Sequence, residues 1–307
     1  MTAVRIGTRG SPLARSQTSA VAEAVVGELG RKVEIVDVVT LGDRSSAALA
    51  QIGGTGVFVS ALRDALLAGE IDLAVHSYKD LPTAAATGLA IAAVPRREDP
   101  RDVLVARDGL SLGELPRGSR VGTGSPRRAA QLRALGFGVE VVPIRGNVDT
   151  RLRKVADGEL DAVVLARAGL ARLDRLDAVT EVLDPLQVLP APAQGALAVE
   201  CRAVDVDLIA ELAALDHTDS RAAVAAERAL LTALEAGCTA PVGGLAEVVD
   251  GDDGLEVFLR GSVTAADGSD AVRLSATGPV TEAEAIGRRL AADLLADGAS
   301  KLLGSPR

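Results

Sequence analysis

From Val4 onward, short runs rich in β-branched residues alternate with stretches of helical pattern, and this alternation restricts the fold more than any other feature. "VRIG" precedes a helix expected over about residues 13–29, then come "KVEIVDVV", a helix over about 57–70, and "IDLAVHSY". A βαβαβ order of this kind predicts a mostly parallel sheet covered by helices. After the turn-rich "VPRREDP" at 94–100 the pattern restarts with "DVLVAR", "RVGTG", a helix from Ser125, "VEVVPIR", a helix from Asn147, and "DAVVLAR". A second proline-rich passage, "LPAPAQG" at 189–195, leads into one more strand, "ALAVECR". Two α/β lobes joined by two crossings, with the last strand returning to the first lobe, predict a hinge and a cleft. Ligands of such sheets bind beyond the carboxyl ends of the strands.

The remainder changes character. "HTDSRAAVAAERALLTALEAG" predicts a helix capped by Thr218, Asp219 or Ser220 and stopped by Gly237. "LAEVV", "LEVFLRGSVT" and "AVRLSATG" follow, separated by glycine- and aspartate-rich turns, and a closing helix starts near Thr281. This predicts a small antiparallel α+β domain. The expected partition is 1–95 with 196–216, then 100–189, then 217–307. A chain of 307 residues is long enough for several cores. Disorder is expected in the terminal "GASKLLGSPR".

A net charge of -9 and only four aromatic residues, Phe58, Tyr78, Phe137 and Phe258, argue against a nucleic-acid surface, which uses basic stripes and stacking platforms. The charge is uneven, however: residues 120–172 carry +5, leaving -14 for the rest. A basic island in an acidic chain reads either as a local anion pocket or as solvated helix faces. No apolar stretch approaches the roughly 20 residues that span a bilayer, so a cytoplasmic protein free of membrane is expected. With His76 and His217 as the only histidines and Cys201 and Cys238 as the only cysteines, a cysteine/histidine metal cage lacks clustered ligands, and no metal is expected. The two thiols are expected to be reduced.

Three turns follow strands and open helices: "GTRGSP", "GTGSPRR" and "RGNVDTR". Backbone N–H groups at helix starts bind anions, and adjacent arginines extend that capacity. None of the three is a Walker loop or a dinucleotide fingerprint, and each alone is as readily an ordinary turn. Together they deliver Arg9, Ser11, Arg127, Arg128, Arg145, Arg151 and Arg172 to strand ends expected to face one cleft, an array suited to a ligand with several carboxylates. A guanidinium grips a carboxylate with two charge-assisted hydrogen bonds where lysine acts as a point charge. "HSYKDLP" ends its strand so that Lys79 and Asp80 also reach this region, although an aspartate there can equally serve as a turn residue. His76, inside the strand, reads as a core or wall histidine.

"EAGCTAPVGG" sets Cys238 between glycines, just past the expected helix stop, where the negative end of the helix dipole disfavours a thiolate. The segment by itself suits a buried structural cysteine as well as any reactive one. A non-enzymatic two-lobed binding protein and a cysteine-dependent hydrolase or redox enzyme both remain open on these features.

In order along nearly the whole chain stand "RIGTRGSPLARSQ", "GGTGVF", "AVHSYKDLP", "VGTGSPRR", "IRGNVDTRL", "LARAGLARL", "LPAPAQGALAVECR" and "AGCTAPVGG". The chain resembles the porphobilinogen deaminase (hydroxymethylbilane synthase) family in all of them. The resemblance implies two lobes like those of periplasmic binding proteins and a small third domain carrying a covalent dipyrromethane. It implies a transferase that condenses four porphobilinogen molecules, with loss of ammonia, and releases linear hydroxymethylbilane for tetrapyrrole synthesis. By the same resemblance Asp80 is catalytic, and Arg9, Ser11, Lys79, Arg127, Arg128, Arg145, Arg151 and Arg172 bind the acid side chains of the substrate. Thr123, Ser125, Asn147 and Gln194, with Asp80, Lys79, Arg127 and Arg128, contact the cofactor, held by a thioether at Cys238. The expected partners are porphobilinogen and the growing polypyrrole, acting on a monomer without nucleic acid. Gln51 and Thr55 stand where many relatives have lysines, in a segment at 42–56 whose glycines and serines suit a lid.

Overall fold

The computed structural model describes residues 2–38, 56–236 and 240–303. Strand β1 (Val4–Thr8) leads into helix α1 (Pro12–Leu29), followed by β2 (Val33–Asp37), α2 (Gly56–Leu67), β3 (Leu73–Ser77) and β4 (Leu89–Ala93). The chain continues through β5 (Asp102–Ala106), β6 (Arg120–Thr123), α3 (Pro126–Ala134), β7 (Glu140–Pro143), α4 (Val148–Ala156), β8 (Ala162–Ala166), α5 (Arg167–Arg172) and β9 (Glu181–Val182). It then forms β10 (Leu197–Arg202), α6 (Val206–Leu212) and α7 (Thr218–Ala233). Last come β11 (Val242–Gly251), β12 (Gly254–Thr264), β13 (Ala271–Pro279), α8 (Ala283–Ala296) and α9 (Ala299–Leu302). The expected lid at 42–56, with Gln51 and Thr55, lies outside the described residues except for Gly56, which opens α2. Among the described residues no helix is long and apolar enough to cross a membrane.

Two five-stranded sheets have one topology. Their orders are β2-β1-β3-β10-β4 and β7-β6-β8-β5-β9, and in each the fourth strand runs against the other four. The reversed strand is the crossing segment in both cases: β10 arrives after the second sheet is complete, and β5 opens that second sheet. The inner strands are covered on both faces and so read as continuous apolar runs, "LAVHS", "DVLVA", "AVVLA" and "LAVECR". Successive side chains point to opposite faces: Leu104 and Val164 join Leu132 on one side of the second sheet, while Val103 and Val163 join Leu170 on the other. In the first sheet Ile6, Leu73 and Val199 pack with Val21 and Val25 of α1, and Ala74 packs with Leu62 and Leu66 of α2. These are mixed α/β lobes.

The third sheet is antiparallel, β11-β12-β13, and one face carries α7 and α8 through Leu230, Leu259, Ile286, Leu290 and Leu294. Gly287 lets the two helices meet, because a Cβ there would lie 2.2 Å from the Ala226 carbonyl oxygen. The chain divides into two compact units, Met1–Glu98 with Ala196–Arg221, and Asp99–Gly195 with Ala222–Arg307, so the second five-stranded sheet and the three-stranded sheet share a unit.

Two helix-end expectations change. The cap of α7 is His217, whose Nδ1 accepts the Ser220 N–H at 3.2 Å, one residue before the expected hydroxyl and carboxylate caps. The helix also ends before Gly237, which lies outside the described residues: Glu235 takes the left-handed conformation (φ 49°), and the Ala236 N–H returns to the Leu231 carbonyl. The tail expected to be disordered begins with α9, whose Ala299 is fully buried against the α8 core.

Candidate functional site

In the first unit the carboxyl end of β1 runs through Arg9 and Gly10 to Ser11, which caps α1. The Ser11 hydroxyl accepts the Ala14 N–H at 3.2 Å, and Pro12 fills the first helical position, where its missing N–H costs nothing. Arg9 and Ser11 are both half-buried. Beside them the Gln17 amide donates to the Ser77 hydroxyl at 2.8 Å, tying α1 to the end of β3. There the chain makes one 3₁₀ turn, Tyr78–Asp80, pinned by the Tyr78 N–H on the Ala196 carbonyl (3.0 Å) and by Leu81, buried with Val59 and Ala198. Lys79 and Asp80 are thereby held half-buried at the strand end. The Asp80 carboxylate has no hydrogen-bond or ion-pair partner among the described residues.

His76 is buried within β3, with Nε2 3.2 Å from Glu200 Oε2. Glu200 of β10 also receives a fork from Arg63 of α2, Nη2 at 2.9 Å and Nε at 3.1 Å. Burial pushes the Glu200 carboxyl up, but His76 and Arg63 outweigh it and hold the group below the usual carboxylate range.

In the second unit β6 ends at Thr123, and the turn Gly124–Ser125 starts α3. A Cβ on Gly124 would lie 2.7 Å from the Ile144 carbonyl oxygen, so the close approach of these two strand ends requires glycine. Thr123 Oγ1 accepts the Ser125 N–H at 3.2 Å, and Ser125 caps α3. The first turn of α3 then sends Arg127 and Arg128 inward onto Asp102, the first residue of β5, whose side chain is fully buried. Arg127 Nη2 meets one Asp102 oxygen at 2.7 Å, while Arg128 Nη2 (2.7 Å) and Nε (3.1 Å) meet the other. Gln194 closes the group: its amide donates to Asp102 and to the Pro100 carbonyl, both at 2.7 Å, and accepts from Arg128 at 3.3 Å. Burial alone would raise the Asp102 carboxyl, but the two guanidiniums hold it well below the usual carboxylate range. Removing one partner of a buried pair like this typically costs ~3–5 kcal/mol.

Arg151 of α4 adds a third cation. Burial pulls its guanidinium down and Arg128 repels it, and its hydrogen bond runs to the Gly146 carbonyl (2.8 Å) rather than to an acid. Two guanidiniums thus share the Asp102 carboxylate, and Arg151 adds a third positive charge beside Arg128. Arg127 Nε, moreover, is buried without a hydrogen-bond partner among the described residues. An unpaired buried donor beside surplus positive charge is a place for an anionic acceptor. Asn147 caps α4, accepting the Thr150 N–H at 2.8 Å, and Arg145 before it is exposed. Arg172, at the end of α5, donates to the Gly195 carbonyl at 2.7 Å. An open cavity of about 890 Å³ reaches Asn147, Arg153 and Arg175 but not Arg127, Arg128 or Arg151, so it lies beside the cluster.

The structure therefore places Arg127, Arg128, Arg151, Thr123, Ser125 and Gln194 together, whereas Arg145 stands at the surface. Arg127 and Arg128, expected simply to face a ligand, point inward onto Asp102, because a buried carboxylate draws both guanidiniums. Asp102, Glu200 and Glu227 were not singled out by the sequence motifs. Each is paired with groups distant in sequence, so no local pattern marks it.

Of the thiols, Cys201 sits in β10 among Val4, Leu73 and Leu212, and burial chiefly, with Asp205, pushes it up to about 11. Cys238 lies outside the described residues. The described residues on either side are anchored: Ala236 is buried in the C-terminal core and Ala240 packs against it.

The family model described as "Porphobilinogen deaminase, dipyromethane cofactor binding domain" matches residues 4–210, and that described as "Porphobilinogen deaminase, C-terminal domain" matches 221–296. The chain is 61% identical over 311 residues to "Porphobilinogen deaminase 1" of Streptomyces coelicolor, covering 98% of each chain. It is 60% identical over 309 residues to "Porphobilinogen deaminase" of Mycobacterium tuberculosis, covering 99% of each. Among solved structures it is similar to a periplasmic substrate-binding protein of an ABC transporter from Coxiella burnetii, with a TM-score of 0.44 and 13% identity over 69% of this chain and 91% of that one.

Proposed function

The chain belongs to the porphobilinogen deaminase family, and from that premise we propose which of its residues carry the family's reaction. The reaction is the stepwise condensation of four porphobilinogen molecules, with loss of ammonia, onto a dipyrromethane primer, which yields linear hydroxymethylbilane. When bound, the primer supplies the nucleophilic pyrrole carbon from which the chain grows.

The observation that carries the assignment is the pair of guanidiniums on one buried carboxylate with the charge of Arg151 beside them, and an Arg127 Nε–H that has no partner among the described residues. Each pyrrole of such a chain bears an acetate and a propionate, so the donors of Arg127, Arg128 and Arg151 fit carboxylates of the primer, with Thr123, Ser125, Asn147 and Gln194 around them. Arg9, Ser11, Lys79, Arg145 and Arg172 take the carboxylates of incoming substrate. Asp80, at its strand end and without a partner among the described residues, stabilises the positive charge that develops on the pyrrole nitrogens as ammonia leaves. Cys238 holds the primer by a thioether. Its rival, Cys201, is buried and remains protonated, which suits a structural thiol. The functional partition is 1–95 with 196–216, 100–189, and 217–307, the last bearing the primer. The protein works as a cytoplasmic monomer, without nucleic acid or membrane.

Arg145→Lys tests the arginine assignment. Exchanging a fork for a point charge at an exposed position leaves the fold intact but impairs substrate loading or stalls elongation, so enzyme-bound intermediates accumulate. Wild-type kinetics without trapped intermediates would remove Arg145 from the site.

A further inference from the structure

We propose that Glu227 is a positioning residue that fixes the primer-bearing domain in register with the arginine cluster. The proposal rests on the assignment of Cys238 as the attachment point. Glu227 lies in the middle of α7 and is fully buried. Its Oε1 accepts the Ala246 N–H of β11 at 2.7 Å, and its Oε2 accepts the Ala193 N–H at 2.5 Å. One carboxylate therefore bridges the C-terminal sheet to the passage 189–195.

That passage is where the arginine cluster is built. Ala193 has φ 63°, a left-handed conformation that an alanine adopts only under restraint, and it is fully buried. Gln194 follows at once and places its amide on Asp102, Pro100 and Arg128. Leu189 accepts hydrogen bonds from Arg127 and Gln131 through its carbonyl. The other side of the passage lies on β11, where the Gly244 N–H donates to the Pro190 carbonyl at 2.9 Å and a Cβ on Gly243 would come within 3.0 Å of the Leu189 carbonyl oxygen. Strand β11 begins a few residues after Cys238, and α7 ends a few residues before it. Elements α7 and β11, which flank Cys238 in sequence, thus share one short chain of contacts with the arginine cluster, with Glu227 at its centre.

Cohesion alone does not need a carboxylate here, because apolar packing would hold two surfaces together without burying a charge. A carboxylate receiving two backbone N–H groups fixes direction as well as contact. Misplacement of reacting groups by about 1 Å from a distant change can lower a rate by about 10²-fold. Loss of the Ala193 restraint is expected to act in this way, at a smaller size.

The test uses full-length holoenzyme of two variants, Glu227→Gln and Glu227→Asp. Glutamine can accept only one of the two backbone N–H groups, and aspartate keeps the charge but is one methylene too short to span them. Both are expected to carry the Cys238 adduct by peptide mapping and to melt cooperatively. Amide hydrogen exchange across 190–195 should quicken by about tenfold or more, kcat should fall by about tenfold, and KM should change by less than about threefold, with bound intermediates accumulating. If Glu227→Gln does not fold, Glu227→Asp decides alone. Failure of both to fold, or a folded, loaded variant with wild-type kcat and no trapped intermediates, would overturn the proposal and leave Glu227 a structural role only. A wild-type protein without an adduct at Cys238 would instead overturn the attachment assignment on which it rests.

Discussion

A Cys238→Ala chain is expected to carry no pyrrole adduct and to form no hydroxymethylbilane. The other thiol cannot substitute: Cys201 lies in the core of the first sheet, fully buried, and its desolvation keeps it protonated. The residues flanking 237–239, Ala236 and Ala240, belong to the C-terminal core, and α7 ends in a left-handed turn at Glu235. Replacing a cysteine by alanine removes one sulfur and leaves the anchored flanks unchanged, so the variant should fold with a melting temperature close to that of apo wild type. Loss of function would then be chemical rather than structural. Intact mass and peptide mapping read the adduct, and product assay reads the activity. A fully active, unmodified Cys238→Ala protein would sink the attachment assignment.

The second large effect is expected at Asp80. Asp80→Asn keeps the shape of the side chain and removes its charge. The residue has no partner among the described residues, so no buried ion pair is broken, and stability should change little. Turnover should nevertheless fall by roughly 10²-fold or more, the usual cost of losing one preorganised group aimed at developing charge. Each condensation breaks the bond between the aminomethyl carbon and nitrogen, forms a carbon–carbon bond to the terminal pyrrole, and sheds one proton from that pyrrole carbon, with ammonia as the leaving group. The transient positive charge on the pyrrole nitrogens is what a fixed carboxylate stabilises. Steady-state kinetics and a thermal melt on the same preparation separate the two effects, and near-normal turnover would remove Asp80 from the mechanism.

Much of this architecture could be read from local chemistry. Ser11 with Pro12, Ser125 with Pro126, and Asn147 each announce a helix start, and each caps one. Strands β3, β5, β8 and β10 betray their two-sided burial by predominantly apolar runs that do not alternate with polar residues. The ends of α7 were harder, because a histidine ring nitrogen as cap and a glutamate in the left-handed region run against residue preference. The buried acids were hardest. Asp102 looks like the polar edge of a strand until α3 brings two arginines to it from 25 and 26 residues away in sequence. Glu227 resembles any surface glutamate of an amphipathic helix, and only folding reveals two backbone N–H groups aimed at it. The arginines could be picked out from the sequence, but the carboxylate that orients them could not, since pairing across the fold leaves no local pattern.

The most direct measurement is intact-protein mass spectrometry of the purified wild-type chain, before and after a brief exposure to limiting porphobilinogen. The assignment predicts one starting species, heavier than the sequence by a single dipyrromethane that maps to Cys238. After exposure it predicts a ladder of heavier species, each step equal to one porphobilinogen less one ammonia. A chain at its unmodified sequence mass, forming product without any ladder, would contradict it.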